Sequence, residues 1–159
     1  MDSIKRDLGS RGEPGSAFAG DRAGALHDVL GFHIRLAHGA VYRHFTETFA
    51  RLELTQKQVS VLWQIDLCPG ISQIELGNLL QMDRASTMTI VNRLQERGFV
   101  RRRRSSTDRR KQSISLTAEG EVALAEAKNC VVQHEAWLKQ RFTPDEIEKL
   151  VEMLKRIHE

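Results

Sequence analysis

The sequence contains few cysteines and no cysteine pair of the kind that binds zinc. Its 159 residues include only Cys68 and Cys130, which lie far apart and outside any CxxC motif. A disulfide framework or a cysteine zinc site needs more cysteines at closer spacing. We therefore interpret both residues as ordinary thiols, buried or partly exposed.

Long apolar runs are absent as well. No segment approaches the roughly 20 consecutive apolar residues that a membrane-spanning helix needs. Residues 1–20 are polar and glycine-rich and lack the apolar core of a signal peptide. These absences predict a cytoplasmic protein that has no membrane partner, and we interpret residues 1–20 as a disordered tail.

The sequence also lacks the motifs of common catalytic sites. It contains no HExxH, P-loop, GxSxG or GxGxxG pattern. Four histidines share the first predicted helix: His27, His33, His38 and His44. Those that face the same side are eleven positions apart, roughly 16 Å along the helix axis, which is too far for one metal ion. We predict no enzyme, no cofactor and no metal site, and a site completed by His134 or a second subunit stays open.

Positive charge, in contrast, is concentrated in one short segment. The chain carries +3 overall, but ten lysines and arginines and only three acids lie between Asp83 and Lys111. This segment therefore carries +7 and the rest of the chain −4. Phosphate polyanions favour clustered cations because counterions are released on binding. Four consecutive arginines are a poor choice for a merely solvated face, so the pattern predicts a nucleic-acid partner.

Apolar periodicity and capping signals predict that most of the chain is helical. A stripe of apolar residues predicts one long helix over residues 21–52. Thr55-x-x-Gln58 and Ser72-x-x-Glu75 have the spacing of capping boxes and predict the starts of two shorter helices. Thr143-Pro144-Asp145-Glu146 is the clearest start signal and predicts the last helix.

The middle of the chain has the pattern of a winged helix-turn-helix. Asp83 predicts the start of a fourth helix, which ends before Gly98. We expect its inward-facing residues to be Ala85, Met88, Val91 and Leu94. Two strands around a basic tip follow, which predicts a β-hairpin wing, and Thr117 predicts the start of a long helix. The predicted fold is therefore mainly α with a small β-hairpin wing.

The first and last helices carry apolar faces that so small a chain cannot cover by itself. A two-fold homodimer would bury them and would match a palindromic DNA site. We predict four segments: a disordered tail (1–20), an N-terminal dimerisation helix (21–53), a winged helix-turn-helix DNA-binding lobe (54–116) and C-terminal dimerisation helices (117–159).

Four motifs, in order, resemble the MarR family of transcription regulators. They are Leu54-Thr55-x-x-Gln58-x-x-x-Leu62, Asp83-Arg84-Ala85-Ser86-Thr87-Met88-Thr89, Leu94-Gln95-Glu96-Arg97-Gly98-Phe99-Val100, and Asp108-Arg109-Arg110 followed by Ser115-Leu116-Thr117-x-x-Gly120. The resemblance covers residues 54–120, whereas the flanking helices match in length only. One departure is Ile90, where the family often has a polar or basic residue.

The resemblance implies a role for each DNA-facing residue. The fourth helix would lie in the major groove and present Arg84, Ser86, Thr87, Thr89 and Arg93. The wing would follow the DNA backbone, with Arg109 or Arg110 in a minor groove and Asp108 as the salt-bridge partner of a neighbouring arginine. The other cations expected at DNA are Arg101, Arg102, Arg103, Arg104 and Lys111.

The resemblance also implies a small-molecule effector between the dimerisation helices and the DNA-binding lobe. The residues expected there are His33, Arg35, Leu36, His38, Tyr42 and Trp63. One arginine among aromatic residues favours an anionic aromatic ligand, such as a phenolic acid or its coenzyme A ester. The alternatives are a redox- or metal-responsive regulator and an architectural DNA-binding protein without an effector.

Overall fold

The computed structural model describes residues 26–104 and 112–159. Its helices are α1 (Leu30–Thr48), α2 (Gln56–Leu67), α3 (Gln73–Leu79), α4 (Arg84–Glu96), α5 (Ala118–Lys139) and α6 (Pro144–His158). A 3-10 turn (Ala50–Leu52) follows α1, and the strands are β1 (Ile71–Ser72), β2 (Val100–Arg104) and β3 (Gln112–Leu116). The predicted fold class, mainly α with a small β-hairpin, is confirmed. No helix within the described ranges is long and apolar enough to cross a membrane.

The chain divides into two compact units, residues 1–40 and 41–159. In the first unit, the ring of His33 packs edge-on against Phe32, and its Nε2 atom lies 2.7 Å from the carbonyl oxygen of His27. The second unit contains the apolar core. Its largest fully buried side chains are Phe49, Leu62, Ile65, Leu76, Leu94 and Ile114. These residues come from α2, α3, α4, β3 and the position directly after α1, so the helix-turn-helix and the sheet share one core.

The capping signals in the sequence place the helix starts correctly. Thr55 and Gln58 form a reciprocal capping box at α2, and Ser72 and Glu75 form one at α3. The Thr143 capping box, with Pro144 in the first turn, starts α6, and the side chains of Asp83 and Thr117 cap α4 and α5. Each cap gives an unpaired N–H of the first turn a partner, typically stabilising a helix by about 1 kcal/mol.

The sheet is antiparallel with the strand order β1-β3-β2. Strands β2 and β3 are the predicted wing, and the wing tip, residues 105–111, lies outside the described residues. Strand β1 was not predicted. It is only two residues long and pairs Ile71 with Ile114, and so short a strand shows no measurable alternation of side chains.

The long helix predicted over residues 21–52 is shorter than expected. A turn over residues 26–29 precedes α1, and α1 ends at Thr48. Residues 21–25 lie outside the described part. Glu53 adopts a left-handed backbone conformation, with φ of 50°, directly after the 3-10 turn. The apolar stripe nevertheless continues because Phe49, directly after α1, and Leu52 of the 3-10 turn pack into the same core. Periodicity alone therefore could not reveal the end of the helix.

The inward-facing side of α4 also differs from the prediction. Ala85 is exposed and Met88 is 48% exposed, whereas Thr87 is fully buried beside Val91 and Leu94. Val91 and Leu94 are thus buried as predicted, but Thr87 takes the place expected for Ala85 and Met88. The centre of the buried face is turned by roughly 60° around the helix from its predicted position. Thr87 fits this position because its hydroxyl donates a hydrogen bond at 2.8 Å to the carbonyl oxygen of Asp83, which removes the cost of burying a polar group.

Candidate nucleic-acid interface

Helix α4 is the candidate recognition helix, and Asp83 fixes its start. The Asp83 carboxylate accepts hydrogen bonds from the backbone N–H of Ser86 at 2.8 Å and from its hydroxyl at 2.6 Å. These bonds, with the hydroxyl contributing most, lower the pKa of Asp83 below its ordinary value. Asp83 therefore stays ionised at the positive end of the helix dipole, where a carboxylate is favoured.

The residues of α4 that were predicted to face DNA do not all reach its surface. Arg84, Thr89 and Arg93 are exposed. Ser86 is half-buried, and its hydroxyl is used in the Asp83 cap. Thr87 has no exposed surface, and a Cβ atom at Gly77 of α3 would lie 3.0 Å from its hydroxyl. The expectation that the Thr87 side chain contacts DNA is therefore corrected, and we assign Thr87 to the packing between α3 and α4.

Arg101, Arg102 and Arg103 of β2 differ in their surroundings. Arg101 and Arg103 are exposed, and the Nε atom of Arg101 donates to the hydroxyl of Ser115 at 3.3 Å. Arg102 is half-buried and donates hydrogen bonds to the side-chain amides of other elements. Arg104 is the last residue of β2. The other predicted wing residues, Asp108, Arg109, Arg110 and Lys111, lie outside the described residues.

Arg97 shows that part of the basic segment is structural. Its Nη1 atom donates to the carbonyl oxygen of Glu53 at 2.7 Å, and its Nη2 atom donates to that of Leu52 at 2.9 Å. Its guanidinium also lies 4.6 Å from the centroid of the Phe99 ring. Arg97 thus joins the end of α4 to the turn after α1, so the net charge of the segment overstates the number of cations available to DNA.

The residues predicted to bind an effector lie in both units. His33, Arg35, Leu36 and His38 belong to the first unit, and Tyr42 and Trp63 belong to the second. The Arg35 guanidinium lies 5.2 Å from the centroid of the Phe32 ring. Trp63 is half-buried, and its ring lies 5.2 Å from the Nζ atom of Lys128, which forms a salt bridge with Asp66 at 2.8 Å.

The two cysteines differ in exposure. Cys68 is exposed at the end of α2, where its Sγ atom accepts a hydrogen bond at 3.5 Å from Gln64, and Cys130 is half-buried in α5. Lys128, the basic residue that precedes Cys130 most closely, is already paired with Asp66. Across residues 26–104 and 112–159, no group of three or more His, Cys, Asp or Glu side chains is arranged to hold a metal ion.

A histidine pair, buried His134 and half-buried His44, joins the end of α1 to α5 inside the second unit. The Nδ1 atoms of His44 and His134 are 2.8 Å apart, and Trp137 stacks on His44 with ring centroids 3.9 Å apart. The Thr48 hydroxyl donates to the carbonyl oxygen of His44 at 2.7 Å and lies 3.3 Å from His44 Nδ1. In the bond between the two rings, one Nδ1 atom donates a single hydrogen and the other accepts it.

This geometry predicts that the protein loses stability as the pH falls. Burial lowers the pKa of His134, the neighbouring His44 adds to this effect, and Glu135 opposes it. The unfolded chain therefore binds a proton at this site more readily than the folded chain. The free energy of unfolding is therefore unaffected by this site above pH about 6.5. Below that pH it falls, with a slope of up to about 1.4 kcal/mol per pH unit. Urea unfolding from pH 8 to pH 5 measures this slope.

The control for this prediction is His134→Asn, whose amide can donate to or accept from the Nδ1 atom of His44 but does not titrate. All other residues are the same in both proteins, so the difference between the two slopes isolates His134. We expect the slope below pH 6.5 to be smaller in the variant. Identical slopes would show that His134 is protonated equally well in the folded and unfolded chains.

The arrangement of these elements defines a class of protein. Helices α3 and α4 form a helix-turn-helix whose second helix exposes Arg84, Thr89 and Arg93, and a two-stranded wing with exposed arginines follows it. This is the arrangement of winged helix-turn-helix DNA-binding proteins. The sequence model of the MarR family matches residues 54–111. The chain belongs to the MarR family of transcriptional regulators.

One protein of known sequence and two solved structures of another protein are similar to this chain. A putative transcriptional regulatory protein for the hcr operon of Thauera aromatica is 32% identical over 150 residues, which cover 93% of this chain and 90% of that protein. The transcriptional repressor CouR bound to a 23-mer DNA duplex is 34% identical, with a TM-score of 0.81 and coverage of 86% and 96%. CouR bound to p-coumaroyl-CoA is 32% identical, with a TM-score of 0.77 and coverage of 85% and 95%.

Proposed function

We propose that this transcriptional regulator is a homodimeric repressor that binds a palindromic operator and is released from it by a small anionic effector. The observation that carries the proposal is the exposed set of cations on α4 and β2, in a chain similar to a repressor whose structure contains a DNA duplex. Helix α4 would read bases in the major groove through Arg84, Thr89 and Arg93. Arg101, Arg103 and the wing tip would neutralise phosphates, and the protein would act in the cytoplasm.

The homodimer is proposed because apolar faces remain uncovered. In α6, Val151, Leu154 and Ile157 are 46%, 42% and 62% exposed, although their spacing places them on one side of the helix. In the first unit, Leu30 of α1 is 70% exposed. Large exposed apolar side chains on one helix face are typical of interfaces, and a two-fold pair would present two copies of α4 to a palindrome. We assign dimerisation to residues 21–53 and 117–159.

The effector is proposed from the residues of α1 and from similarity to CouR, whose structure with p-coumaroyl-CoA has the same fold. Arg35 is exposed and can pair with a carboxylate or a phosphate, while Tyr42 and Trp63 offer aromatic surface. We assign His33, Leu36 and His38 to effector binding as well. A ligand that binds better to the conformation with low DNA affinity weakens operator binding, and by reciprocity DNA weakens ligand binding by the same factor.

Fluorescence anisotropy tests the proposal directly. We expect the protein to bind the DNA upstream of its own gene at least about 10³-fold more tightly than scrambled DNA of the same length. We also expect p-coumaric acid or p-coumaroyl-CoA to release it. Arg35→Gln should weaken release without changing DNA binding, and Arg43→Gln, also exposed on α1, is the matched control.

The alternatives predict different results in the same assay. Equal affinity for both DNAs would indicate an architectural protein and would contradict the repressor. Release by peroxide, lost in a Cys68→Ser or Cys130→Ser variant, would indicate a redox sensor. Release by a divalent metal and reversal by a chelator would indicate a metal sensor. Either of the last two results, without release by an aromatic acid or its thioester, would reject the proposed effector.

A further inference from the structure

Strand geometry divides the arginine run of β2 into two faces. Val100 is buried, Arg101 and Arg103 are exposed, and Arg102 is half-buried. Arg102 is paired with Ile114 of β3, which is fully buried. Successive side chains of a strand point to opposite faces, so Arg102 shares the inner face of the wing with Val100. A phosphate contact suits the outer arginines, whereas Arg102 is directed towards the helices.

The guanidinium of Arg102 donates to three side-chain amides on two helices. Its Nη2 atom lies 2.7 Å from Oδ1 of Asn92 and 3.3 Å from Oε1 of Gln73, and its Nη1 atom lies 2.8 Å from Oε1 of Gln95. Asn92 and Gln95 belong to α4, and Gln73 is the first residue of α3. Arg102 therefore joins the wing to both helices of the helix-turn-helix.

This contact also determines which way the amides face. A guanidinium has only donors, so each amide must turn its oxygen towards Arg102 and its NH₂ group away from it. Asn92 is exposed and lies three residues after Thr89, on the same side of α4. The contact thus presents the NH₂ group of Asn92 at the proposed DNA-facing surface.

We propose that Arg102 is a positioning residue for sequence recognition. It orients the side chain of Asn92 and does not neutralise a phosphate. This role rests on the proposed function. An asparagine that reads adenine uses both its oxygen, as acceptor, and its NH₂ group, as donor. Because the oxygen of Asn92 faces Arg102, its NH₂ group faces away from Arg102, and the major-groove edge of guanine offers two acceptors for this NH₂ group. Arg102 thereby favours guanine at one position of each half-site.

The test compares Arg102→Lys with Arg103→Lys, the same substitution on the inner and outer faces of one strand. Both variants keep the charge, but a lysine cannot hold three amides as the planar guanidinium does. The probes are a duplex selected by the wild-type protein from a randomised pool and its scrambled counterpart. We expect Arg102→Lys to lose about tenfold in selectivity, with an unchanged salt slope, and Arg103→Lys to retain wild-type selectivity. Circular dichroism verifies that both variants are folded.

A double-mutant cycle shows whether Arg102 acts through Asn92. Asn92→Ala should reduce selectivity in the wild-type background and have little further effect in the Arg102→Lys background. Additive effects, or equal loss of affinity for both duplexes in Arg102→Lys, would overturn the positioning role. If the wild-type protein is selective and Arg102→Lys is equally selective, this inference alone would be overturned. A wild type that binds both duplexes equally would overturn the proposed function and this inference with it.

Discussion

The Gly120→Ala variant is expected to lose about 3 kcal/mol or more of its unfolding free energy, which corresponds to a fall of about 6–12 °C in Tm. A Cβ atom at Gly120 would lie 1.9 Å from the carbonyl oxygen of Phe99 and 2.8 Å from its carbonyl carbon. That oxygen already accepts the backbone N–H of Thr117 at 3.0 Å. Both clashing partners are backbone atoms, so no flexible side chain can move aside, and α5 must shift away from the start of the wing.

The matched control is Gly31→Ala, in which the same methyl group is added to another helix. Gly31 lies in α1, and none of the described residues comes within 4 Å of a Cβ atom placed there. Alanine there should raise the unfolding free energy by about 0.5–1 kcal/mol, because glycine loses more backbone entropy on folding. Urea unfolding of both variants measures the difference. If Gly120→Ala proved as stable as the wild type, the close approach of α5 to Phe99 would be refuted.

The starts of the helices could be predicted because capping is local. At α6, the backbone N–H of Thr143 donates to Oε2 of Glu146 at 2.8 Å, and these two residues are only three positions apart. The same bond lowers the pKa of Glu146, so the cap is formed by the ionised side chain. All the information for such a contact lies within one turn, and the sequence pattern therefore suffices.

The buried side of α4 could not be predicted in the same way. Neighbouring residues differ by 100° around a helix, and hydrophobicity favours Met88 over Thr87 for the core. The outcome depends on α3, where Gly77 allows the close approach of Thr87 that a larger residue would hinder. A contact between two helices decides the orientation, and no pattern within α4 contains it.

The roles of the individual cations could not be predicted from the sequence for a similar reason. Charge counting treats the ten lysines and arginines of the basic segment alike. In the structure, Arg97 is bound to carbonyl oxygens of the turn after α1, and Arg102 is bound to amides of α3 and α4. The period of the strand separates Arg102 from Arg101 and Arg103, but its amide partners lie between 7 and 29 positions away along the chain. The cluster of positive charge therefore predicts the class of partner, a nucleic acid, better than it predicts the contacts that each cation makes.

Leu154→Asp is expected to convert the proposed dimer into a folded monomer and to lower operator affinity by about 10²-fold or more. Leu154 is 42% exposed in the single chain, so a carboxylate there leaves no buried cavity and should not unfold the protomer. In a dimer interface the same carboxylate would be desolvated without a partner. A monomer also loses the gain in affinity that comes from occupying two linked half-sites. Light scattering gives the mass, and anisotropy gives the affinity.

The control for the interface is Lys149→Asp, because it introduces the same residue on the opposite side of α6. Lys149 is exposed and lies five residues before Leu154, about 140° away around the helix. A carboxylate there stays in water, so dimer mass and operator affinity should remain those of the wild type.

If Leu154→Asp also kept the dimer mass, the apolar face of α6 would not be the interface. If both variants became monomers, the helix as a whole rather than its apolar face would be responsible. Only a dimer lost in Leu154→Asp and kept in Lys149→Asp agrees with association through Val151, Leu154 and Ile157, the pairing that would present two copies of α4 to one operator.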